Sequence, residues 1–308
     1  MSPDEYTIQE TFVDVGDGHM LYVQDWGNPK IKIPFLSIHG GPGSGSKGRH
    51  KNGYDPAKQR VIFYDQRGSG KSLPAGSIDH NTTQDLIEDI EKIRKQLKIE
   101  QLVLTGASWG PCLALAYSLQ YPKHVKAMVL SGIFTGSQDE IDWIHKGRFR
   151  DFFPDVWQKF LDETPKAHHA DPSGYHLKNA LGDDDAAAKR SLYALDNLES
   201  GVMSLDDRHT PENYDEYETL RSKIENYYLA NRCFLPDGFI MDNAHKLTMP
   251  IWLVQGRYDF VCRPKIAYDL HQKLPNSHLI WTISGHSADH ENWNLLRTIR
   301  LQLTEVSG

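Results

Sequence analysis

The stretch Leu102–Gln120 constrains this chain more than any other. A run of strand formers, Leu102–Thr105, passes without a spacer into Gly106-Ala107-Ser108-Trp109-Gly110, and Leu113–Gln120 then reads as a helix. A strand that turns at once into a helix forces its apex residue into a strained backbone conformation. Glycines on either side of the apex carry no Cβ, so neighbouring backbone can approach without a clash. The turn therefore lifts the Ser108 hydroxyl above the carboxyl edge of a sheet, at the amino end of a helix. The G-x-S-x-G pattern alone is weak; its setting between a strand and a helix gives it weight.

The surrounding sequence predicts the sheet that such a turn requires. Thr11–Val13 and Met20–Gln24 flank Val15-Gly16-Asp17-Gly18 and read as a hairpin. Pro34–His39, Val61–Tyr64 and Ala127–Ser131 are further short apolar runs, and Thr82–Lys98 carries Leu86, Ile87, Ile90, Ile93 and Leu97 on one helical face. Asn81 or Thr82 is placed to cap that helix. Alternating strands and helices imply an α/β fold with a mostly parallel sheet, covered by helices on both faces.

The pattern changes after Ile133. From 134 to 243 there is no good run of strand formers; aromatics such as Trp143, Phe149, Phe153, Trp157 and Phe160 recur at helical spacing instead. Strands resume at Ile251–Gln255 and His278–Ile283, with a helix between them and another after His290. The expected organisation is a core made of 1–133 and 244–308, interrupted by a helical insertion, 134–243, after the sixth strand. At 308 residues the length suits one large domain with such an insertion.

A serine nucleophile needs a base, and the base needs an orienting acid. The fold that uses this elbow supplies them in the chain order serine, acid, histidine, each after a strand. Ile251–Gln255 ends at Gly256-Arg257-Tyr258-Asp259, and His278–Ile283 ends at Ser284-Gly285-His286-Ser287. Asp259 and His286 are thus the expected acid and base. Asp289 and His290 compete from the start of the last helix. A developing oxyanion also needs donors. The backbone N–H of Trp109 is one, and His39-Gly40-Gly41-Pro42-Gly43, after the third strand, offers Gly41 as the other.

Other chemistry is poorly supported. Gly68-Ser69-Gly70-Lys71-Ser72 ends like a phosphate loop, but its first glycine falls too close to the second. Cys112, one helical turn past Ser108, reads as a packed residue. His168-His169 and the scattered acids show no metal spacing, so no metal or cofactor is expected. Three cysteines without paired spacing, an acidic N-terminus without an apolar core, and no apolar stretch of 18 residues together suggest the cytoplasm. The net charge of −7 makes nucleic acid and anionic membrane poor partners. That charge is uneven: 134–243 carries 22 acidic and 12 basic residues, a net of −10, and the remainder carries +3.

Taken together, His39–Gly43, Tyr64–Ser72, Asn81–Arg94, Gly106–Tyr117, Phe153–Leu161, Ile224–Tyr228, Gln255–Asp259 and Gly285–Ala288 resemble, in order, the blocks of the prolyl aminopeptidase (proline iminopeptidase) family of α/β-hydrolases. The resemblance spans most of the chain, insertion included. It implies an α/β-hydrolase core under a helical cap, with Ser108, Asp259 and His286 as a triad. It also implies release of an N-terminal residue, preferentially proline, from small peptides or amino-acid amides through an acyl-enzyme. Two cap glutamates hold the substrate's free amine in that family. Ile224-Glu225-Asn226-Tyr227-Tyr228 matches one of their segments and Leu195-Asp196-Asn197-Leu198-Glu199 the other, which assigns Glu225 and Glu199.

Elementary electrostatics agrees with that implication. A buried ammonium is costly unless carboxylates pair with it, and an acidic cap attracts such substrates. The chain departs from the family at Leu195 and Leu198, where tryptophans are usual, at Ser131 in place of an arginine, at Leu229 in place of an aromatic, and at Pro111 in place of a small residue. These changes are expected near the cap and substrate pocket. A serine esterase or amidase, or an aminopeptidase of other specificity, is the alternative on the same fold. A hydrolase-like binding module is the non-enzymatic one, and the intact triad argues against it.

Overall fold

The computed structural model describes residues 3–204, 214–287 and 290–306. Positions 205–213 of the expected insertion, and Ala288 and Asp289, lie outside the described residues.

Eight strands form one sheet in the order β1-β2-β4-β3-β5-β6-β7-β8. They are β1 (Thr7–Gly16), β2 (His19–Gly27), β3 (Phe35–Ile38), β4 (Arg60–Tyr64), β5 (Leu102–Ser108), β6 (Val125–Ile133), β7 (Ile251–Gly256) and β8 (Ser277–Thr282). β1, β2 and β4 pair antiparallel; every pairing from β4 through β3 to β8 is parallel. Most strands run past the apolar stretches that announce them, because the backbone ladder continues after the burial pattern fades.

Both faces of the central strands are buried, and the period of two along each strand divides them. Ile62, Tyr64, Leu104, Met128, Leu130 and Leu253 face α1 (Thr83–Gln96), α2 (Trp109–Gln120) and α9 (Pro264–Lys273). Their neighbours Val129 and Val254 face Leu296 and Ile299 of α10 (His290–Val306), and Val61, Phe63, Val103 and Ala127 join Trp26, Phe35 and Tyr54 on that second face. Burying each large apolar side chain contributes about 1.5–3 kcal/mol. The sheet layers therefore form the stiff frame from which the strand ends project.

Helix α1 begins at Thr82, whose side chain accepts from the Asp85 amide while Asp85 accepts from the Thr82 amide. Asn81, the other candidate cap, instead donates to Arg67 O at 3.1 Å and accepts from the Tyr228 hydroxyl at 2.8 Å. Arg67 is fully buried and grips Asp89 through Nε and Nη2, at 2.7 and 2.8 Å. The phosphate-loop-like glycines close around an internal carboxylate. Asp65 accepts from the Lys71 amide at 2.8 Å, and a Cβ on Gly70 would sit 2.3 Å from Asp65 Oδ2. An anion is already built into that turn.

Between β6 and β7 the described residues hold α3 (Gln138–His145), α4 (Pro154–Asp162), α5 (Pro172–Ala180), α6 (Asp185–Ser200), α7 (Glu216–Ala230) and α8 (Phe239–Asn243), and no strand. This segment has two loyalties. Ile144, Phe149, Phe160, Leu192, Leu195 and Leu198 share a hydrophobic cluster of their own. Ile224 and Tyr228 of α7, with Cys233 and Ile240, belong to the main cluster under the sheet. Tyr228 also meets Trp109 edge to face, with ring centres 5.1 Å apart. Among the described residues no helix is long and apolar enough to cross a membrane.

Candidate active site

Ser108 ends β5 and opens α2 with φ 61° and ψ −114°, a left-handed backbone position that stores about 1–3 kcal/mol of strain. The flanking glycines are sterically required. A Cβ on Gly106 would lie 2.9 Å from Gly110 Cα, and one on Gly110 would lie 2.6 Å from Ile38 O.

Strand ends β7 and β8 bring Asp259 and His286 to this serine. His286 Nε2 lies 3.2 Å from Ser108 Oγ, and His286 Nδ1 lies 2.9 Å from Asp259 Oδ2. A carboxylate on Nδ1 fixes the proton there, so Nε2 is free to accept from the serine hydroxyl. Gly132 leaves room for the ring: a Cβ there would sit 3.3 Å from His286 Cε1. Asp259 is itself locked. Its Oδ1 accepts from the Val261 and Cys262 amides at 3.0 and 2.7 Å, and its Oδ2 accepts from Gln255 Nε2 at 3.2 Å. Burial disfavours the His286 imidazolium, yet the charge and hydrogen bond of Asp259, aided by Cys262, hold its pKa well above the ordinary value. That shift favours the protonated ring that serine attack would create.

Asp259, Cys262 and His286 also bring a carboxylate, a thiol and an imidazole within 4.8 Å of one another. The Asp259 and His286 atoms are already engaged in the chain of contacts to Ser108. Cys112 is fully buried, and burial pushes its thiol pKa well up, so it is a packing residue. His290 opens α10, and Asp289 lies outside the described residues.

Ser108 faces a pocket of about 450 Å³, partly open to solvent. Its wall includes Gly41 and Trp109, the two expected oxyanion donors. A buried relay ties their segments together: Gln66 Nε2 donates to His39 O at 3.0 Å, and Trp109 Nε1 donates to Gln66 Oε1 at 3.0 Å. Phe134, Ile141, Ile144, Leu229 and Val261 supply an apolar wall, and Glu199 and Glu225 stand in the same lining. Burial, above all, raises the pKa of both glutamates; Glu199 adds to the rise at Glu225, where Arg221 opposes it.

Sequence reasoning missed Arg221, Gln255, Gln66 and His145. Arg221 donates to Glu218 Oε2 at 2.6 Å and to Glu225 Oε2 at 2.7 Å, and its third partner is Asp196. The Glu218-Arg221-Glu225 spacing was visible as a helical i,i+3 and i,i+4 set; the Asp196 contact crosses to another helix and was not. His145 lines the pocket, and burial lowers its pKa to about 4, so its ring is neutral.

The departures from the family fall in different surroundings. Leu195 and Leu198 are buried in the insertion's own cluster and do not line the Ser108 pocket. Glu199 reaches the pocket where its neighbour Leu198 does not because adjacent helix positions point about 100° apart, and Leu195 lies a full turn earlier along α6. Of the cap departures, Leu229 does line it.

Comparison with known proteins shows the fold and the family. Residues 33–290 match the alpha/beta hydrolase fold family. A proline iminopeptidase of Arabidopsis thaliana is 38% identical over 292 residues, covering 89% of this chain and 74% of that one. One from Xanthomonas citri is 35% identical and covers 93% of each. Among solved structures, an esterase from Exiguobacterium antarcticum superposes with a TM-score of 0.66 at 20% identity, covering 96% of this chain and all of that one, a likeness of fold alone. On sequence similarity of this extent, the chain belongs to the proline iminopeptidase family of α/β-hydrolases.

Proposed function

We propose that this protein is a serine aminopeptidase that releases an N-terminal residue, preferentially proline, from small peptides and amino-acid amides. The observation that carries the reading is one pocket holding both a Ser108–His286–Asp259 chain and two buried glutamates. In this reading His286 Nε2 takes the Ser108 proton as Oγ attacks the carbonyl of the first residue. Asp259 keeps the proton-bearing nitrogen turned away from the serine. The Gly41 and Trp109 amides receive the oxyanion; both residues line the pocket. His286 then protonates the leaving amine, and water, activated by the same ring, releases the amino acid.

Glu199 and Glu225 would hold the ammonium of the substrate. Desolvating that cation is unfavourable without carboxylate partners, so a blocked or internal residue lacks the group the pocket demands. The apolar wall from Phe134 to Val261 suits a compact ring such as that of proline. The helices of 134–243 act as the cap domain over a core of 1–133 and 244–308, and their net charge of −10 has the sign to draw cationic amines. The cytoplasm is the compartment that three sparse, unpaired cysteines favour.

The direct test compares arylamides of free proline, free alanine and N-acetylproline with a short acyl ester. A dominant rate on free proline, abolished by acetylation, is expected. A dominant ester rate, or indifference to acetylation, would reassign the enzyme as a general esterase or amidase.

A further inference from the structure

We propose that Arg221 is a positioning residue for amine recognition: by gripping carboxylates on both α6 and α7, it sets the spacing of Glu199 and Glu225 and supplies the countercharge beside Glu225. The inference rests on the reading of those two glutamates as the amine site. It adds a residue outside that pair, on which the pair depends.

The geometry is a three-way fork. Arg221 Nε and Nη1 engage Glu218 and Glu225, one on each side of it along α7, at 2.6 and 2.7 Å. Its Nη2 crosses to Asp196 on α6. Asp196 lies three residues before Glu199, so the two share a face of α6. The guanidinium therefore fixes α6 to α7 at the level of the two pocket glutamates. It occupies Glu225 Oε2, which leaves Oε1 as the oxygen for a ligand. Arginine suits this task because its planar fork makes several directed bonds at once, which a lysine ammonium cannot reproduce.

The charge balance points the same way. Asp196 and Glu199 from α6, Glu218 and Glu225 from α7 and Tyr214 surround the guanidinium, with His286 and Asp259 facing Glu199 from the sheet and Lys47 approaching from the loop after β3. Three carboxylates bond one guanidinium, and Glu199 stands within its electrostatic reach. Removing it would leave Glu225 beside Glu199 and Asp196 without its nearest countercharge. Glu225 would then hold its proton to higher pH, and a neutral carboxyl is a poor partner for an ammonium.

The test measures kcat and KM against pH for free-proline arylamide and for a short acyl ester. The enzymes are wild type, Arg221→Met, Arg221→Lys, Glu225→Gln, and the double variant Arg221→Met with Glu225→Gln. Arg221→Met is expected to raise KM for the arylamide by at least about tenfold. The acidic limb of its kcat/KM for the arylamide should move up relative to the limb that His286 sets for the ester. The ester rate should stay within about twofold of wild type. Arg221→Lys should hold the acidic limb near wild type and still raise KM, because it restores charge without the fork. In the Glu225→Gln background, Arg221→Met should add less than about twofold.

Parallel loss on ester and arylamide, or full additivity in the double variant, would overturn the proposal. If the methionine variant does not fold, the lysine variant decides by the same ester-to-amide comparison. A wild-type enzyme indifferent to acetylation would sink the amine site and this inference together. One that demands a free amine, but loses both substrates equally on Arg221 substitution, would sink this inference alone.

Discussion

Two buried polar clusters share the pocket, and they are built on opposite plans. Around Asp259 every acceptor has a donor: four hydrogen bonds arrive from Val261, Cys262, Gln255 and His286. Around Glu225, one guanidinium bonds three carboxylates while Glu199 stands beside them. A fully satisfied network is stiff and keeps its atoms where a reaction needs them. A network short of positive charge is unfinished, and a cationic ligand completes it. The same low-polarity surroundings thus serve reaction on one side and selection on the other.

Substitutions can break this contrast. Ser108→Ala removes the attacking atom and should lower kcat on every substrate by about 10⁴-fold or more, with the melting temperature nearly unchanged. Equal turnover by a pure Ser108→Ala protein would refute the proposed chemistry. Leu198→Ala probes the insertion's own cluster, where this leucine is 1% exposed. It should lower stability by about 2–5 kcal/mol in urea unfolding, with KM of the remaining folded enzyme little changed. A large KM change with intact stability would return Leu198 to the pocket wall. Glu199→Gln probes the unfinished cluster and should cost free-proline arylamide about 10²-fold in kcat/KM, sparing the ester. Ester loss of the same size would show that Glu199 supports His286 rather than a substrate amine.

The smallest effect is in the pH profiles. His286 must be neutral to act as a base, and its pKa is raised, so ester hydrolysis should fall as pH drops, with a midpoint above about 6.5. The arylamide of free proline should follow that acidic limb and add an alkaline one where its own amine loses the proton. Superimposable profiles for the two substrates would erase the distinction between the clusters.

The two regions also differ in how far the sequence discloses them. Strand ends are local: Asp259 and His286 stand directly after runs such as Ile251–Gln255, and a short turn leaves few places for their side chains to go. The elbow announces itself because Gly106 and Gly110 are steric necessities. Helix packing in the insertion is non-local. The Arg221–Asp196 contact joins residues 25 apart in sequence, and its existence depends on the crossing of α6 and α7. The finer placement of Leu195 and Leu198 was hidden for a related reason. Helix α6 lies between two buried environments, so apolar character did not tell which one each leucine faces. Gln255 and Gln66 were silent because a glutamine in or beside a strand carries no spacing signature, although both hold the site together.

Tyr228 has a wider consequence. It sits one helical turn past Glu225, lies against Trp109, and anchors by its hydroxyl to Asn81. The helix that carries one half of the amine site is thereby bolted to the elbow that carries the nucleophile. A change of residue preference worked through α7 would disturb the reacting serine, and one worked through α3 would press on the acid, because Trp143 Nε1 donates to Phe260 O, next to Asp259, at 2.7 Å. Lineages that diverge in the amino acid they release should therefore keep Tyr228 and the face of α7 around it nearly fixed, and an engineer seeking a new preference has the same anchor to leave in place.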